Sequence, residues 1–435
     1  MKTYILGNAV IVTVNNNMDV ISDGAVAVSG DKILDIGNTS EIKKKYTEYK
    51  FIDIGKSLIM PGLVNTHTHL AMSLFRGLAE DLDLYQWLER TYDFRKKFVT
   101  PELFKTAIKL SVLELIKSGT TTFCDMSFHQ KMIAEIVKGF KVRAVLCDTM
   151  MRKYNRKDIF DAIDYFLEKD YGDLIVKALA LHAPYTCDRI HFKWLKKMIT
   201  RHPDIPYSIH LAETNGENNI IKKKFGVRPL ELLKEYGLLS DKLLAVHCVW
   251  LNDRELDVMK KYEVKVSYNP ESNMKLGSGI APIVKMLRRG ITVGLGTDGS
   301  ASNNDLDLLS EVDSGAKLQK VANLNPKVLT AREMVRMITI DGAKCLGIDS
   351  FTGSIEKGKR ADLIIIDLQQ IRLKPVYEIH SHIVFTANGR DVTDVIVSGK
   401  YIVKNKKVLV ENESKILNDL NFLNREINRN LRNGK

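Results

Sequence analysis

Long apolar runs are missing. Nothing in the 435 residues approaches the roughly 20 consecutive apolar residues that a membrane helix needs, which argues against a spanning segment. The N-terminal MKTYILGNAVIVTVNNN has no small-residue cleavage site and alternates like a strand, so it reads as folded structure and the protein as cytoplasmic. Cysteine is scarce: Cys124, Cys147, Cys187, Cys248 and Cys345 are an odd number with no CxxC pair, which excludes a disulfide framework and a zinc ribbon. There is no internal repeat and no low-complexity segment. The glycines at 277–279 and 294–296 lack the spacing of a phosphate-cradling loop. Lys plus Arg (65) exceeds Asp plus Glu (53), giving a net charge of +12. The excess is scattered through runs such as IKKKYTEYK and the tail NREINRNLRNGK, with no aromatic–basic motif beside it. It reads as a solvated surface with some preference for anionic ligands, and no nucleic-acid partner is expected.

What remains is an ordinary globular composition, 45% apolar and 27% charged, long enough for two or three domains at about 150 residues each. Both ends read as short alternating strands broken by turns: Tyr4–Val14, Gly24–Ser29 and Ile33–Ile36, then Ala361–Asp367, Asp394–Ser398, Lys400–Val403 and Val408–Val410. The middle alternates short apolar runs with helix-like stretches such as Pro101–Ser118 and Asp158–Lys169. Eight such runs (Ser57–Met60, Thr120–Cys124, Arg143–Cys147, Ile175–Leu181, Tyr207–His210, Leu243–Val246, Lys265–Tyr268, Thr292–Gly296) match the size of a (β/α)8 barrel. The expected architecture is α/β: a distorted (β/α)8 barrel over 57–355, a β-sandwich built from 1–56 and 356–412, and a helical tail over 413–435.

Metal-capable side chains fall at the ends of these runs, where barrel enzymes place their active sites. His67 and His69 close LIMPGLVNTHTH; two residues apart on a strand, they point the same way. His210 closes YSIH with Glu213 just beyond, His247 closes LLAVH, Asp298 follows ITVGLGT, and His182 ends ALALH. Any one of these histidines alone would read as structural. Two imidazoles on one strand face are costly to bury unless they bind something, and three histidines with a late carboxylate are donors suited to zinc or iron. A second HxH, His380 and His382, lies in the β-rich C-terminal region with no following acid and reads as structural, as do His129, His191 and His202. Cys187 and Cys248 adjoin site residues without a nucleophile's setting.

The segments PGLVNTHTHLAMSLFRGLAEDLDLYQWL, SGTTTFCDM, HLAETNGE, SYNPESNMKLGSGIAPI and GTDGSASNNDLDL resemble the amidohydrolase superfamily. Within it they resemble the branch of methylthioadenosine/S-adenosylhomocysteine deaminases and related chlorohydrolases, over nearly the whole chain. The resemblance implies that His67, His69, His210 and Asp298 hold one divalent metal per subunit, zinc first, with iron or manganese as alternatives. The bridging lysine of two-metal members is replaced at the fourth strand by ALALHAP with His182. It also implies that Asp298 takes a proton from water, Glu213 protonates a ring nitrogen and later the leaving ammonia, and His247 orients the nucleophile. Trp87 and His182 match positions that contact the substrate.

Two positions depart from the nucleoside deaminases of this branch. Nine residues after Trp87, where they carry a glutamate for the ribose hydroxyls, stands Lys96; Asp148 stands where an arginine follows the third strand, with Arg152 and Arg156 nearby. A lysine reverses the charge and removes an acceptor, so Lys96 is a candidate for selecting an anionic substituent. The expected activity is hydrolytic deamination of a small aminated purine-type heterocycle, with adenosine, 5'-methylthioadenosine and S-adenosylhomocysteine first. The alternatives are another amino- or chloro-substituted ring (guanine, pterin, cytosine or triazine), or a binding protein without catalysis on the same fold. A homo-oligomer is implied by the resemblance.

Overall fold

The computed structural model describes residues 3–152 and 157–432; Arg156, one of the arginines weighed above, lies outside them. Eight parallel strands follow one another in chain order around a barrel: β6 (Leu63–Thr68), β7 (Thr120–Ser127), β8 (Arg143–Met150), β9 (Ile175–Leu181), β10 (Tyr207–Leu211), β11 (Leu243–His247), β12 (Lys265–Tyr268) and β13 (Val293–Leu295). Most residues of these strands are buried on both faces, as expected where helices cover a parallel sheet. The ring closes from β13 back to β6 through few bonds, because β13 is short. Asp298 N donates to His67 O at 3.0 Å, Thr68 Oγ1 to Asp298 O at 3.0 Å, and Asn65 Nδ2 to Thr297 Oγ1 at 2.8 Å. The seam therefore fixes the relative height of His67 and Asp298.

The termini build the second unit: β1 (Thr3–Val12), β2 (Val20–Ser29), β3 (Lys32–Asn38), β4 (Lys50–Asp53) and β5 (Ser57–Pro61), then β14 (Leu363–Asp367), β15 (Val392–Val397), β16 (Lys400–Lys404) and β17 (Lys407–Val408). They form a single mixed sheet in the order β17-β16-β15-β14-β5-β1-β2-β3, with β4 beside β1. Laid flat, four strand steps would separate β16 from β1 by about 19 Å. Yet the rings of Tyr4 and Tyr401 lie 6.3 Å apart, and Tyr4 Oη donates to Gly399 O at 3.0 Å. The sheet thus curls on itself around its own core of Leu6, Val26, Ile59, Leu363 and Ile396, the equivalent of the expected sandwich.

One expected strand changes sheets. Ser57–Met60 does not open the barrel; it is β5, paired to β1 and β14. SLIMPGLVNTHT is a continuous buried stretch, and apolar periodicity does not mark a change of sheet. The pivot is Gly62, where a Cβ would sit 2.1 Å from Thr121 Oγ1, so only glycine lets the chain cross there.

Arg143 ties the two units together. It is 1% exposed; its Nε and Nη2 donate to Asp362 Oδ2 at 3.2 and 3.0 Å, and Thr352 Oγ1 donates to the same oxygen at 2.8 Å. Losing either partner would strand a buried charge, at a cost of about 3–5 kcal/mol. Arg143 begins β8, so this tie lies at the barrel end opposite the strand C-termini and leaves that rim open.

Among the helices, Pro101–Lys117 starts on the Thr100 cap, whose side chain accepts from Leu103 N at 3.2 Å, with proline in the first turn. The expected tail helix is present over Glu413–Arg432 and lies on that helix through the Lys117–Glu413 ion pair. The segment YEIHSHIVF, expected to be β-rich, contains a helix over Ile379–Phe385. No helix among the described residues is long and apolar enough to cross a membrane.

Candidate active site

At the C-terminal ends of the barrel strands, four residues take a left-handed backbone that non-glycine side chains seldom adopt: Ala212 (φ 50°), His247 (φ 70°), Cys248 (φ 52°) and Asp298 (φ 61°). Such strain gathers where the chain must aim a side chain, and these turns follow β10, β11 and β13. They bring together every metal-capable residue read from those strand ends.

His67 projects from β6 and His69 from the extended residue just beyond it, with ring centroids 4.7 Å apart, and His210 stands 5.0 Å from His67. His67 Nε2 is 3.2 Å from His210 Nε2 and 3.3 Å from Asp298 Oδ1; His69 Nε2 is 3.4 Å from that oxygen. A tetrahedral shell with bonds of 2.0–2.1 Å has edges of about 3.3 Å, so these three separations match the edges of a shell around one zinc-sized cation; His67, His69 and Asp298 cluster within 4.8 Å, and His210 joins through His67. The surroundings agree. His69 Nδ1 lies 2.5 Å from Met126 O, which can only accept; the ring proton is therefore on Nδ1 and the Nε2 lone pair faces the cluster. Asp298 Oδ2 accepts from Ser272 Oγ (2.6 Å) and Ser302 Oγ (2.8 Å), leaving Oδ1 to the histidines.

The electrostatics point the same way. Burial lowers the basicity of His67 and His210, aided at His210 by neighbouring imidazoles, and brings His182 and His247 down to about 3. These rings are neutral ligands or neutral donors at pH 7. Burial alone would raise Asp298, but the hydrogen bond with His67 and the nearby imidazoles of His69, His67 and His247, wherever these are protonated, outweigh it and hold the carboxyl well below its ordinary range.

Glu213 lies beside this cluster, 5% exposed, with Oε2 3.8 Å from His247 Nε2. Burial, then the carboxylates of Asp298 and Glu217, pushes it well above the ordinary carboxyl range, so its proton is held more tightly than in an exposed glutamate. Glu217, fully buried and pushed up to about 8 by burial, accepts from Glu213 N at 3.1 Å and holds the turn. A cavity of about 560 Å³ opens above, lined by His69, His182, Glu213, His247, Asp298 and Trp87 among others. Trp87 donates to Ala301 O at 3.4 Å, and His182 Nδ1 lies 3.0 Å from Thr186 Oγ1.

Lys96 is elsewhere. It is exposed and does not line this cavity. Nine residues along the Leu84–Phe98 helix is about 180° of rotation at 3.6 residues per turn, so with Trp87 facing in, Lys96 faces out. The expected substrate contact for Lys96 is corrected accordingly. Glu89, Asp93 and Arg95 of the same helix do line the cavity. Asp148 is buried and raised to about 7 by burial; it lines a neighbouring cavity of about 930 Å³. Reasoning from sequence missed Ser272, Asn273, Ser302 and Glu217 as functional groups. The first three lie in SYNPESNMK and TDGSASNN, and only their proximity to Asp298 and His247 gives them a role.

These features define a class: a barrel hydrolase whose site suits one divalent metal, with a buried carboxyl beside it. The amidohydrolase family profile matches residues 58–402, and the chain belongs to that family. It is 40% identical to 5-methylthioadenosine/S-adenosylhomocysteine deaminase 1 of Syntrophus aciditrophicus over 99% of each chain. It is 38% identical to 5'-deoxyadenosine deaminase of Methanosarcina acetivorans, over 96% of this chain and 97% of that one. Among solved structures it is similar to an adenosine deaminase from Xanthomonas campestris with bound zinc: 30% identity, TM-score 0.91, covering 98% and 99% of the two chains. The protein is a hydrolase acting on carbon–nitrogen bonds.

Proposed function

We propose that the protein is a metal-dependent hydrolytic deaminase of an aminated purine, with adenosine derivatives (5'-methylthioadenosine, S-adenosylhomocysteine or adenosine) as first substrates. The observation that carries this reading is the buried Glu213 carboxyl, which lines the same cavity as the histidine–carboxylate cluster and whose proton burial holds more tightly than usual. An acid held neutral at pH 7 can give a proton to a ring nitrogen, the step that opens an aromatic amidine carbon to attack. The names of the two deaminase relatives support the substrate class.

His67, His69, His210 and Asp298 are the proposed ligands, and zinc the proposed metal, as in the Xanthomonas relative. Bound there, a divalent metal supplies Lewis acidity that brings the pKa of a water towards neutrality. Trp87 flanks the ring, and His182, neutral, meets it from β9. Asp298 accepts the proton of the attacking water. Glu213 protonates the ring nitrogen as the oxygen adds to the amino-bearing carbon. His247 donates to the developing oxygen. The proton taken by Asp298 passes to the amine, the C–N bond breaks, ammonia leaves, and Glu213 recovers its proton as the ring becomes a lactam.

A homo-oligomer belongs to the same proposal, supported by Ile371, Val376 and Tyr377, apolar and exposed within seven residues; light scattering would measure it. The test of function is ammonia release by zinc-loaded protein from adenosine, methylthioadenosine, S-adenosylhomocysteine, guanine, cytosine and pterins, with Glu213→Gln as control. Release from adenine nucleosides, lost in the variant, is expected. Turnover of another ring alone would refute the substrate class, and an equally active variant would refute the role of Glu213.

A further inference from the structure

We infer that Asn273 is a positioning residue that keeps His247 out of the metal's ligand set by fixing its tautomer. The inference rests on His67, His69, His210 and Asp298 being the ligands. Distance alone does not select them. Two groupings compete, His67–His69–Asp298 and His67–His210–His247, and in each the ligating atoms lie within 4.8 Å of one another. His247 is as buried as its neighbours and its ring centroid is 5.3 Å from that of His210.

The choice lies behind the ring. Asn273, 1% exposed, places Nδ2 3.0 Å from His247 Nδ1. An amide nitrogen can only donate, so Nδ1 accepts, and the single proton of the neutral imidazole sits on Nε2. A protonated Nε2 cannot ligate; it can donate to an oxygen, and Glu213 Oε2 is 3.8 Å away. His69 is the counterexample. Its Nδ1 faces the Met126 carbonyl, which only accepts, so its proton is on the far side and its Nε2 is free to ligate. The same ring with the opposite polarity behind it has the opposite use.

The amide orientation follows from the cost of the alternative. As placed, Asn273 leaves only Oδ1 buried without a partner. Turned over, it would face His247 with Oδ1 and bury an NH2 group without acceptors, and buried orphan donors are rarer than under-used oxygens. The backbone holds the residue firmly, with Asn273 N donating to Asn269 O at 3.1 Å and Ser278 N donating to Asn273 O at 2.9 Å.

The test compares wild type, Asn273→Asp and Asn273→Ala, with zinc as the probe. Histidine ¹⁵N spectra report the tautomer and a competing chelator reports zinc affinity. Wild-type His247 should be protonated at Nε2. A carboxylate at this position accepts from Nδ1–H and turns the ring round; Asn273→Asp should then bind zinc about 10-fold tighter while ammonia release falls about 100-fold. Asn273→Ala should mix the tautomers and leave zinc affinity within about 3-fold of wild type. A role confined to packing would instead weaken zinc binding in both variants. That result, or Nδ1–H in wild type, or an unchanged tautomer in Asn273→Asp, would overturn the proposal. A folded wild type that holds no zinc would overturn it together with the ligand reading beneath it.

Discussion

The chain contains the pattern His-x-His twice, and the two copies end in opposite circumstances. Along β6 and the extended residue that follows it, residues two apart share a face, so His67 and His69 meet with ring centroids 4.7 Å apart and turn their nitrogens toward one carboxylate. On the Ile379–Phe385 helix, residues two apart are separated by about 200°, so His380 and His382 diverge. His380 turns into the protein with Nδ1 2.7 Å from Glu378, while His382 reaches the carbonyls of Pro375 (2.8 Å) and Glu378 (3.1 Å). Identical spacing makes a cluster that could hold a metal ion in one place and a packing contact in the other. The period of the element decides, together with what the next strand brings opposite.

That comparison can be broken at graded strengths. Replacing both His67 and His69 by alanine should abolish metal retention and lower activity on the order of 10⁴-fold or more, checked by metal analysis and ammonia release. Removing the proton donor comes next: Glu213→Gln should cost about 10²–10⁴-fold in kcat with the metal retained. The groups of this site also set the pH profile. Glu213, raised by burial, is active while protonated, so activity should fall as pH rises through its elevated pKa, and the variant should lose that alkaline limb. Asp298 is held low and stays ionised, so the acid limb should follow protonation of the histidine ligands and loss of the metal, checked by metal analysis across the same pH series.

Smaller effects sharpen the contrast. Ser302→Ala removes one of two hydroxyls on Asp298 Oδ2, a hydrogen bond to a charged group worth about 1.5–3 kcal/mol; kcat/KM should drop about 10-fold. His380→Ala should leave activity within about 2-fold and cost about 1–3 kcal/mol of stability, read in a denaturant melt, because a buried polar contact goes but no ligand does. Lys96→Glu should have the smallest effect. With the side chain facing solvent, kcat/KM for neutral nucleosides should stay within about 2-fold, while a large change would return Lys96 to the cavity.

Much of this was legible in the sequence, for physical reasons. Short apolar runs ending in His or Asp mark parallel strands whose C-terminal ends face one rim, and that geometry alone gathers His67, His69, His182, His210, His247 and Asp298. Other features were not legible. The division between sheets at Gly62 is a steric fact about Thr121, invisible to periodicity. Lys96 was placed by counting residues from Trp87, but contact depends on helix phase. Ser272, Asn273 and Ser302 are small polar residues with no intrinsic signal; they acquire meaning from the atoms they face. The second HxH misled only in its secondary structure, since the lack of a following acid already marked it as structural.

The most direct test of the central claim is ammonia release from methylthioadenosine and adenosine by one preparation, measured as the zinc-loaded protein, after chelation, and after zinc is restored. Activity that disappears on chelation and returns with zinc, in step with one metal per chain, is the predicted result. Deamination that survives complete metal removal, or a folded zinc-loaded protein that releases no ammonia from any aminated ring, would contradict it.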